Sequence, residues 1–270
     1  PVAMAINGFT KLPDMTALEV MRGRFEAARA DMDATVELFA SVKLPEFERE
    51  TEYISLKGVT EYPFYAGDII SSHGTVTGAR AYRDIMTETV APPNTAKHVH
   101  TKDGPFMVGA LARYNNNHAL LHPKAKQAAS ALGFYAPCHN PFMINIAQVV
   151  ESVHCIEDAI RIMDGLLDGG MELEDLSVSP LPARGVGVVE APRGLLLHDY
   201  TYGPDGRATD ANCVIPTGQN LANIEADMRA IIPGITGRPE NEVAATLKML
   251  VRAYDPCISC STHSMDVEFV

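Results

Sequence analysis

From Leu18 onward, apolar residues recur at three- and four-residue steps through Met21, Phe25, Ala28, Met32, Val36 and Phe39, which places them on one face of a helix. Thr16-Ala-Leu-Glu19 reads as a capping box at its start, and the helix is expected to end near Lys43, before Pro45. Between Tyr53 and about Arg80 the pattern changes to short β-prone pieces broken by Gly58, Pro63, Gly67, Gly74 and Gly78, so small strands and turns are expected. Pro92-Pro93 and Asp103-Gly-Pro105 bracket a loop carrying His98 and His100. On a strand these two would share a face and could bind a metal, but the favoured reading is an exposed, solvated pair.

Further along, Met107 to Asn117 is a run of small residues ending in polar ones, and Lys124 to Leu132 reads as a short helix closed by Gly133. Asn140-Pro141 opens a second long helix with apolar positions Ile146, Val149, Val150, Val153, Ile156, Ile160 and Met163, expected to stop at Gly165 and to pack against the first. Val186 to His198 is β-like with an interruption at Pro192, and the turn Gly203-Pro-Asp-Gly206 returns Ala208 to Ile215 as its partner strand. Pro216 to Asn220 reads as a polar loop before a helix from about Leu221 to Ile231, and a last helix spans about Glu240 to Ala253. The fold class expected is α+β, mainly α, with long packed helices and small antiparallel sheets or hairpins, in one domain over residues 1–270.

Composition narrows the class. The 270 residues are 46% hydrophobic and 21% charged, as in a folded globular protein. A formal charge of -12 with no Lys/Arg cluster argues against nucleic acid as a partner. No apolar run approaches the roughly 20 residues needed for a membrane span. Five cysteines, an odd number, make a disulfide framework improbable and fit a reducing, cytoplasmic compartment.

Candidate chemistry is concentrated in Arg252-Ala-Tyr-Asp-Pro-Cys-Ile-Ser-Cys-Ser-Thr-His263. Two cysteines separated by two residues can turn both sulfurs toward one ion, and thiolates favour nickel, iron, zinc or copper over magnesium or calcium. A metal is the first reading, with a redox dithiol and a pair of inert core cysteines as the others. Against the redox reading, the pair lies behind Asp255-Pro256 rather than between a strand and a helix. Cys138-His139 and His154-Cys155 are read as core and surface residues, because neighbours on a helix point about 100° apart.

Taken with Glu190-Ala-Pro-Arg-Gly194, Ile215-Pro-Thr-Gly-Gln-Asn220 and Gly109-Ala-Leu-Ala-Arg113, the terminal D-P-C-x-x-C-x-x-H resembles the large subunit of [NiFe] hydrogenases, most nearly the cytoplasmic branch. The resemblance runs from Pro1 to His263 and implies reversible splitting of H2 into protons and electrons. It makes Cys257 a terminal nickel ligand and Cys260 a bridge between nickel and an iron carrying carbon monoxide and cyanide, a Ni-Fe(CN)2(CO) centre. Arg193 would overhang the open metal position, Asp255 would pair with it, and Thr217 would donate to a cyanide. Pro192 and Ile215 would wall the diatomic ligands. His263 and the backbone carbonyl of Cys213 would bind a structural magnesium or iron ion, and Glu190 is given a structural role only.

Two departures qualify the resemblance. The family's second cysteine pair, in an R-x-C-G-x-C motif, is absent from these 270 residues, since Cys138, Cys155 and Cys213 have no such spacing. The family's proton-gate glutamate and one structural-metal carboxylate are absent with it. Because the match is already in register at Pro1, the N-terminal portion of the large subunit is expected on a separate chain, or to have been lost or cleaved. In addition, Ser264 to Val270 follows the histidine at which family members are usually trimmed, which implies an immature chain or a lineage without trimming. Expected partners are that N-terminal portion, an iron-sulfur small subunit, electron-acceptor subunits and H2. A non-catalytic assembly protein with structural zinc on Cys257, Cys260, His263 and Cys213 is the alternative, and a metal-free relative of the respiratory quinone-reductase subunit is a third reading.

Overall fold

The computed structural model describes residues 12–90, 96–172 and 181–257, together with the backbone of β1 (Met4–Ala5) and β2 (Gly8–Phe9), which pair antiparallel. The helix α1 spans Met15–Ala40. Its cap is Asp14, whose carboxylate accepts from the Ala17 N–H at 2.7 Å, so the capping box read at Thr16 is displaced by a carboxylate two residues earlier. It ends at Ala40 rather than near Lys43.

Three strands follow: β3 (Glu52–Leu56), β4 (Ile69–Ser71) and β5 (Val76–Thr77). With β8 (Phe106–Met107), which runs parallel to β3, they form a sheet of order β5-β4-β3-β8. Between them, β6 (Thr87–Val90) and β7 (Lys97–His100) make a separate antiparallel pair. His98 is buried on β7, with Nε2 3.6 Å from Glu225 Oε1, so the exposed histidine pair is not what forms. Strand pairing carries one imidazole of that pair under a helix.

The helices α2 (Ala110–Asn117), α3 (Pro123–Ala131) and α4 (Ile144–Gly169) come next. A turn capped by the Asn140 side chain, which accepts from the Phe142 N–H, leads into α4. Gly165 does not stop this helix, which continues to Gly169. A single interior glycine costs only about 1 kcal/mol, and Asp164 and Met163 are held by contacts on either face. The expected pairing of α1 with α4 is present: Arg22 bonds Asp164, and Arg29 makes a bidentate pair with Glu157 at 2.8 and 2.7 Å. Only Leu18 of α1 is buried, whereas α4 buries residues along most of its length.

A three-stranded meander, β9 (Ala183–Ala191), β10 (Gly194–Tyr202) and β11 (Ala208–Val214), is ordered β11-β10-β9. The interruption at Pro192 is a two-residue hairpin turn, Pro192-Arg193, joining β9 to β10. The helix α5 spans Pro216–Ile235, and the segment read as a polar loop is its first turn. Pro216 suits that position, since its fixed φ is helical and its missing N–H would be unpaired there in any case. Finally, α6 spans Glu240–Ala253, with Val243, Leu247 and Leu250 buried as the pattern predicts.

Two apolar cores result. One joins helices, with Leu111, Phe134, Phe142, Val150, Leu247 and Leu250 in it. The other joins sheets through Leu56, Ile69, Phe106, Leu195, Leu197 and Val214. The Pro192-Arg193 turn and the first turns of α2 and α5 lie at the junction of the two.

Candidate metal centre

Three segments converge at this junction: the Pro192-Arg193 turn, the first turn of α5, and Asp255-Pro256-Cys257 beyond α6. Close approach of the first to α2 depends on two glycines. Gly194 has φ +132, and a Cβ there would lie 2.3 Å from Val108 Cγ2. Gly109 has φ +105, and a Cβ there would lie 3.0 Å from the Arg193 carbonyl oxygen. Side chains at either position would push the turn away from α2.

Behind the turn is a buried charged network. Arg113 on α2 is 1% exposed and bonds Glu151 through Nε at 2.7 Å and Nη2 at 2.6 Å. Its Nη1 donates to Glu190 Oε2 at 2.9 Å and to the Ala191 carbonyl at 3.0 Å, and its Nη2 to the Pro192 carbonyl at 3.1 Å. Glu190 in turn accepts the Leu56 N–H at 2.8 Å, and Tyr62 donates to Glu151 at 2.7 Å. Burial works against the Arg113 charge, but Glu151 and then Glu190 hold its pKa well above the usual guanidinium value. For Glu190 burial is the larger influence and raises its pKa, with Arg113 opposing. The guanidinium thus fixes two successive carbonyls of the turn that presents Arg193. A cavity of about 620 Å³ opens beside this network, lined by Phe64, Gln148, Cys155 and Pro192 among others.

In front of the turn, Arg193 reaches the terminal segment. Its Nε donates to the Asp255 carbonyl and its Nη2 to Asp255 Oδ1 at 3.2 Å, and Gln148 donates to Asp255 Oδ2 at 3.4 Å. Asp255 has φ +50, a left-handed conformation that folds the chain back after α6. Two residues on, the Cys257 N–H donates to Thr217 Oγ1 at 3.2 Å. Cys257 is half-buried and Thr217 is buried in the first turn of α5, where helix N–H groups favour negative charge.

A second buried network secures that segment from below. Tyr254, next to Asp255, donates to Asp227 on α5 and accepts from Asn223 Nδ2 at 2.8 Å. Arg49 bonds Asp227 and Asn223, and Thr51 donates to Asn223 at 2.7 Å. Higher on α5, Asn220 accepts the Val108 N–H at 2.9 Å and Gln219 donates to the Leu195 carbonyl at 2.6 Å. Gln219, Asn220, Asn223 and Asp227 therefore form one buried polar face that ties strands and terminal segment together. At helical spacing these residues share one face, although their polarity alone reads as a loop.

Of the residues singled out from sequence, Arg193, Asp255, Thr217 and Cys257 are brought together. Pro192 is exposed on the turn, and Ile215, half-buried, caps α5. Cys213 lies on β11 with an exposed side chain, its Sγ 3.4 Å from His198 Nδ1. Cys260 and His263 lie outside the described residues. Glu151 and Gln148 carry no motif signal of their own, and Arg113, though it ends the Gly109-Ala-Leu-Ala-Arg113 motif, is given no role in the site by it. Their part in the site comes from contacts between residues far apart in sequence.

The donor types present, a half-buried thiol two residues beyond the aspartate that pairs with a guanidinium, a buried hydroxyl and a helix N-terminus, fit a thiolate-bound metal whose other ligands are anionic. Residues 99–263 match the family described as nickel-dependent hydrogenase. Sulfhydrogenase 1 subunit alpha of Pyrococcus furiosus is 36% identical over 260 residues, 96% of this chain and 60% of that protein. The NAD-reducing hydrogenase HoxS subunit beta of Cupriavidus necator is 32% identical over 199 residues, 68% of this chain and 40% of its own. Among solved structures, an NAD+-reducing [NiFe]-hydrogenase in the H2-reduced state has a TM-score of 0.78 at 25% identity, covering 95% of this chain and 62% of that one. A [NiFeSe]-hydrogenase from Dm. baculatum shares the fold, with a TM-score of 0.63 at 18% identity and coverage of 96% and 63%. The chain spans at most about 60% of the length of the curated relatives described here.

Proposed function

Since this chain belongs to the nickel-dependent hydrogenase family, we propose that it is the portion of a catalytic subunit that supplies Cys257 and Cys260, two of the four thiolates of a nickel-iron centre. The complete enzyme would oxidise H2 reversibly. The observation that carries this reading is the convergence of Cys257, Thr217, Arg193 and Asp255 from three separate segments. The two remaining thiolates, from an R-x-C-G-x-C motif, would be contributed by a segment outside these residues.

When bound, the nickel-iron group with carbon monoxide and cyanide would supply the redox-active Lewis-acid site for H2. Around it, Cys257 Sγ would receive the proton released by heterolytic cleavage, because a terminal thiolate is a base at the point of cleavage. Arg193 would direct the N–H groups that have no acceptor among the described residues at an anionic ligand, held in place by Asp255. Thr217 Oγ1 already accepts from Cys257, so its hydroxyl hydrogen is left for a cyanide. Pro192 and Ile215 would exclude water from the diatomic ligands. His263 and the Cys213 carbonyl would hold a magnesium or iron ion. Electrons would leave through an iron-sulfur small subunit to acceptor subunits, in the cytoplasm. None of the described helices is long and apolar enough to cross a membrane.

The test uses the assembled complex. Nickel and iron should be present with infrared bands from carbon monoxide and cyanide, and Cys257→Ser should abolish H2 turnover while leaving the complex folded. Zinc at one per chain without nickel would instead support a structural-zinc assembly protein.

A further inference from the structure

Glu52, the first residue of β3, is 5% exposed, and among the described residues no lysine or arginine pairs with it. Buried carboxylates generally have a cation against them, either a side chain or a metal. Here the two oxygens are held by hydroxyls from two different turns. Ser71 Oγ donates to Oε1, and Thr101 Oγ1 donates to Oε2 at 2.6 Å. Each hydroxyl also accepts a backbone N–H two residues further on, from His73 at 2.9 Å and from Asp103 at 3.2 Å. One buried carboxylate therefore positions two turns in the same way, through the first residue of each.

Both turns are closed by backbone bonds, Ser71 N–H to Thr75 O at 2.9 Å in one, and a reciprocal Thr101–Gly104 pair at 3.0 and 3.2 Å in the other. Gly74 (φ +92) and Gly104 (φ +110) permit these tight shapes. The result is that ligand atoms of Glu52, His73 and Asp103 lie within 4.8 Å of one another. The His73 and Asp103 side chains, 45% and 44% exposed, leave an entry path and room for water ligands.

We propose that Glu52, His73 and Asp103 bind a first-row divalent metal ion of borderline softness, Zn2+ being the representative case. One imidazole with two carboxylates suits zinc, manganese, ferrous iron or nickel, the absence of sulfur disfavours cuprous ion, and the imidazole disfavours magnesium and calcium. The hydroxyl bonds to Glu52 act as outer-shell supports that orient the carboxylate. The ion would clamp the turn between β4 and β5 to the turn after β7, and none of its ligands belongs to the cluster around Cys257.

The assembled enzyme, equilibrated with ZnCl2 and desalted, tests this. Wild type should retain one zinc equivalent more than His73→Ala or Asp103→Asn, with nickel content equal in all three. Titration with Zn2+ should show affinity at this site reduced by at least about tenfold in each variant, as ligand loss cannot cost less than loss of an outer-shell partner. Both substitutions are at half-exposed turn tips, so unchanged circular dichroism is expected. Independently of the variants, zinc-edge X-ray absorption of the wild type should show a site with nitrogen and oxygen ligands. Equal zinc retention in wild type and both variants, or zinc bound to sulfur alone, overturns the proposal.

Discussion

Two arginines meet at the Pro192-Arg193 turn, and they are treated in opposite ways. Arg113, behind it, has five guanidinium N–H groups and each finds an acceptor, on two carboxylates and two backbone carbonyls. Arg193, in front, has a side chain 37% exposed, bonds only Asp255 among the described residues, and keeps Nη1 without an acceptor there. A closed network fixes where the backbone goes. An open one leaves donors without an acceptor among the described residues. The contrast teaches that the scaffold spends its buried charge on aiming the turn, while the residue on the turn is only partly paired by the described residues.

The largest disruption of stability should come from the closed side. Arg113→Ala would leave Glu151 and Glu190 buried without their cation, and urea denaturation should show a loss of about 3–5 kcal/mol. A loss below about 1 kcal/mol would mean that the network is not what sets the turn. Next, Gly194→Ala brings a Cβ to 2.3 Å from Val108 Cγ2 at φ +132, and should cost about 2–3 kcal/mol in the same measurement through overpacking and backbone strain.

Glu157 provides an intermediate case, a carboxylate with a side chain 6% exposed paired to Arg29 and Lys124, whose side chains are 34% and 50% exposed. The Arg29 hydrogen bond, followed by Lys124, holds its pKa down at about 2, against 4.5 unperturbed. With the folded value depressed, its contribution is fully present above about pH 4.5 and is lost as pH falls toward 2. After allowance for solvent screening this is about 1–2 kcal/mol, and Glu157→Gln should flatten the corresponding stretch of the stability–pH curve. The smallest effect on stability belongs to the open side. Arg193→Lys should change unfolding free energy by no more than about 0.5 kcal/mol, yet lower H2 turnover by about 100-fold with nickel content intact. A stability loss comparable to that of Arg113→Ala would erase the distinction between the two arginines.

Parts of this arrangement are readable in the sequence because they obey local rules. The bounds of α6 follow its apolar spacing, and Asn140-Pro141 marks the approach to α4. The turn at Gly203–Gly206 sends the chain back as β11, in register with β10. Local rules fail where tertiary contacts outweigh them. Thr217, Gln219 and Asn220 look like loop residues because their polarity is unpaired until distant segments supply the Cys257 N–H, the Leu195 carbonyl and the Val108 N–H. His98 looks solvated until α5 covers it, and Gly165 looks like a stop until α1 packs alongside.

By itself, the sequence determined the donor chemistry: two thiols separated by two residues, a guanidinium in Glu190-Ala-Pro-Arg-Gly194 and a hydroxyl after Pro216, along with the helices whose apolar periods require a core. Their assembly was decided only in three dimensions. Arg113 holds a turn 79 residues away, Arg193 meets Asp255 across 62, and Thr217 meets Cys257 across 40. The physical reason is that residue type and spacing encode what a group can bond. Which partner it bonds depends on packing that no local pattern records, and a buried charge becomes stable only when that packing delivers its partner.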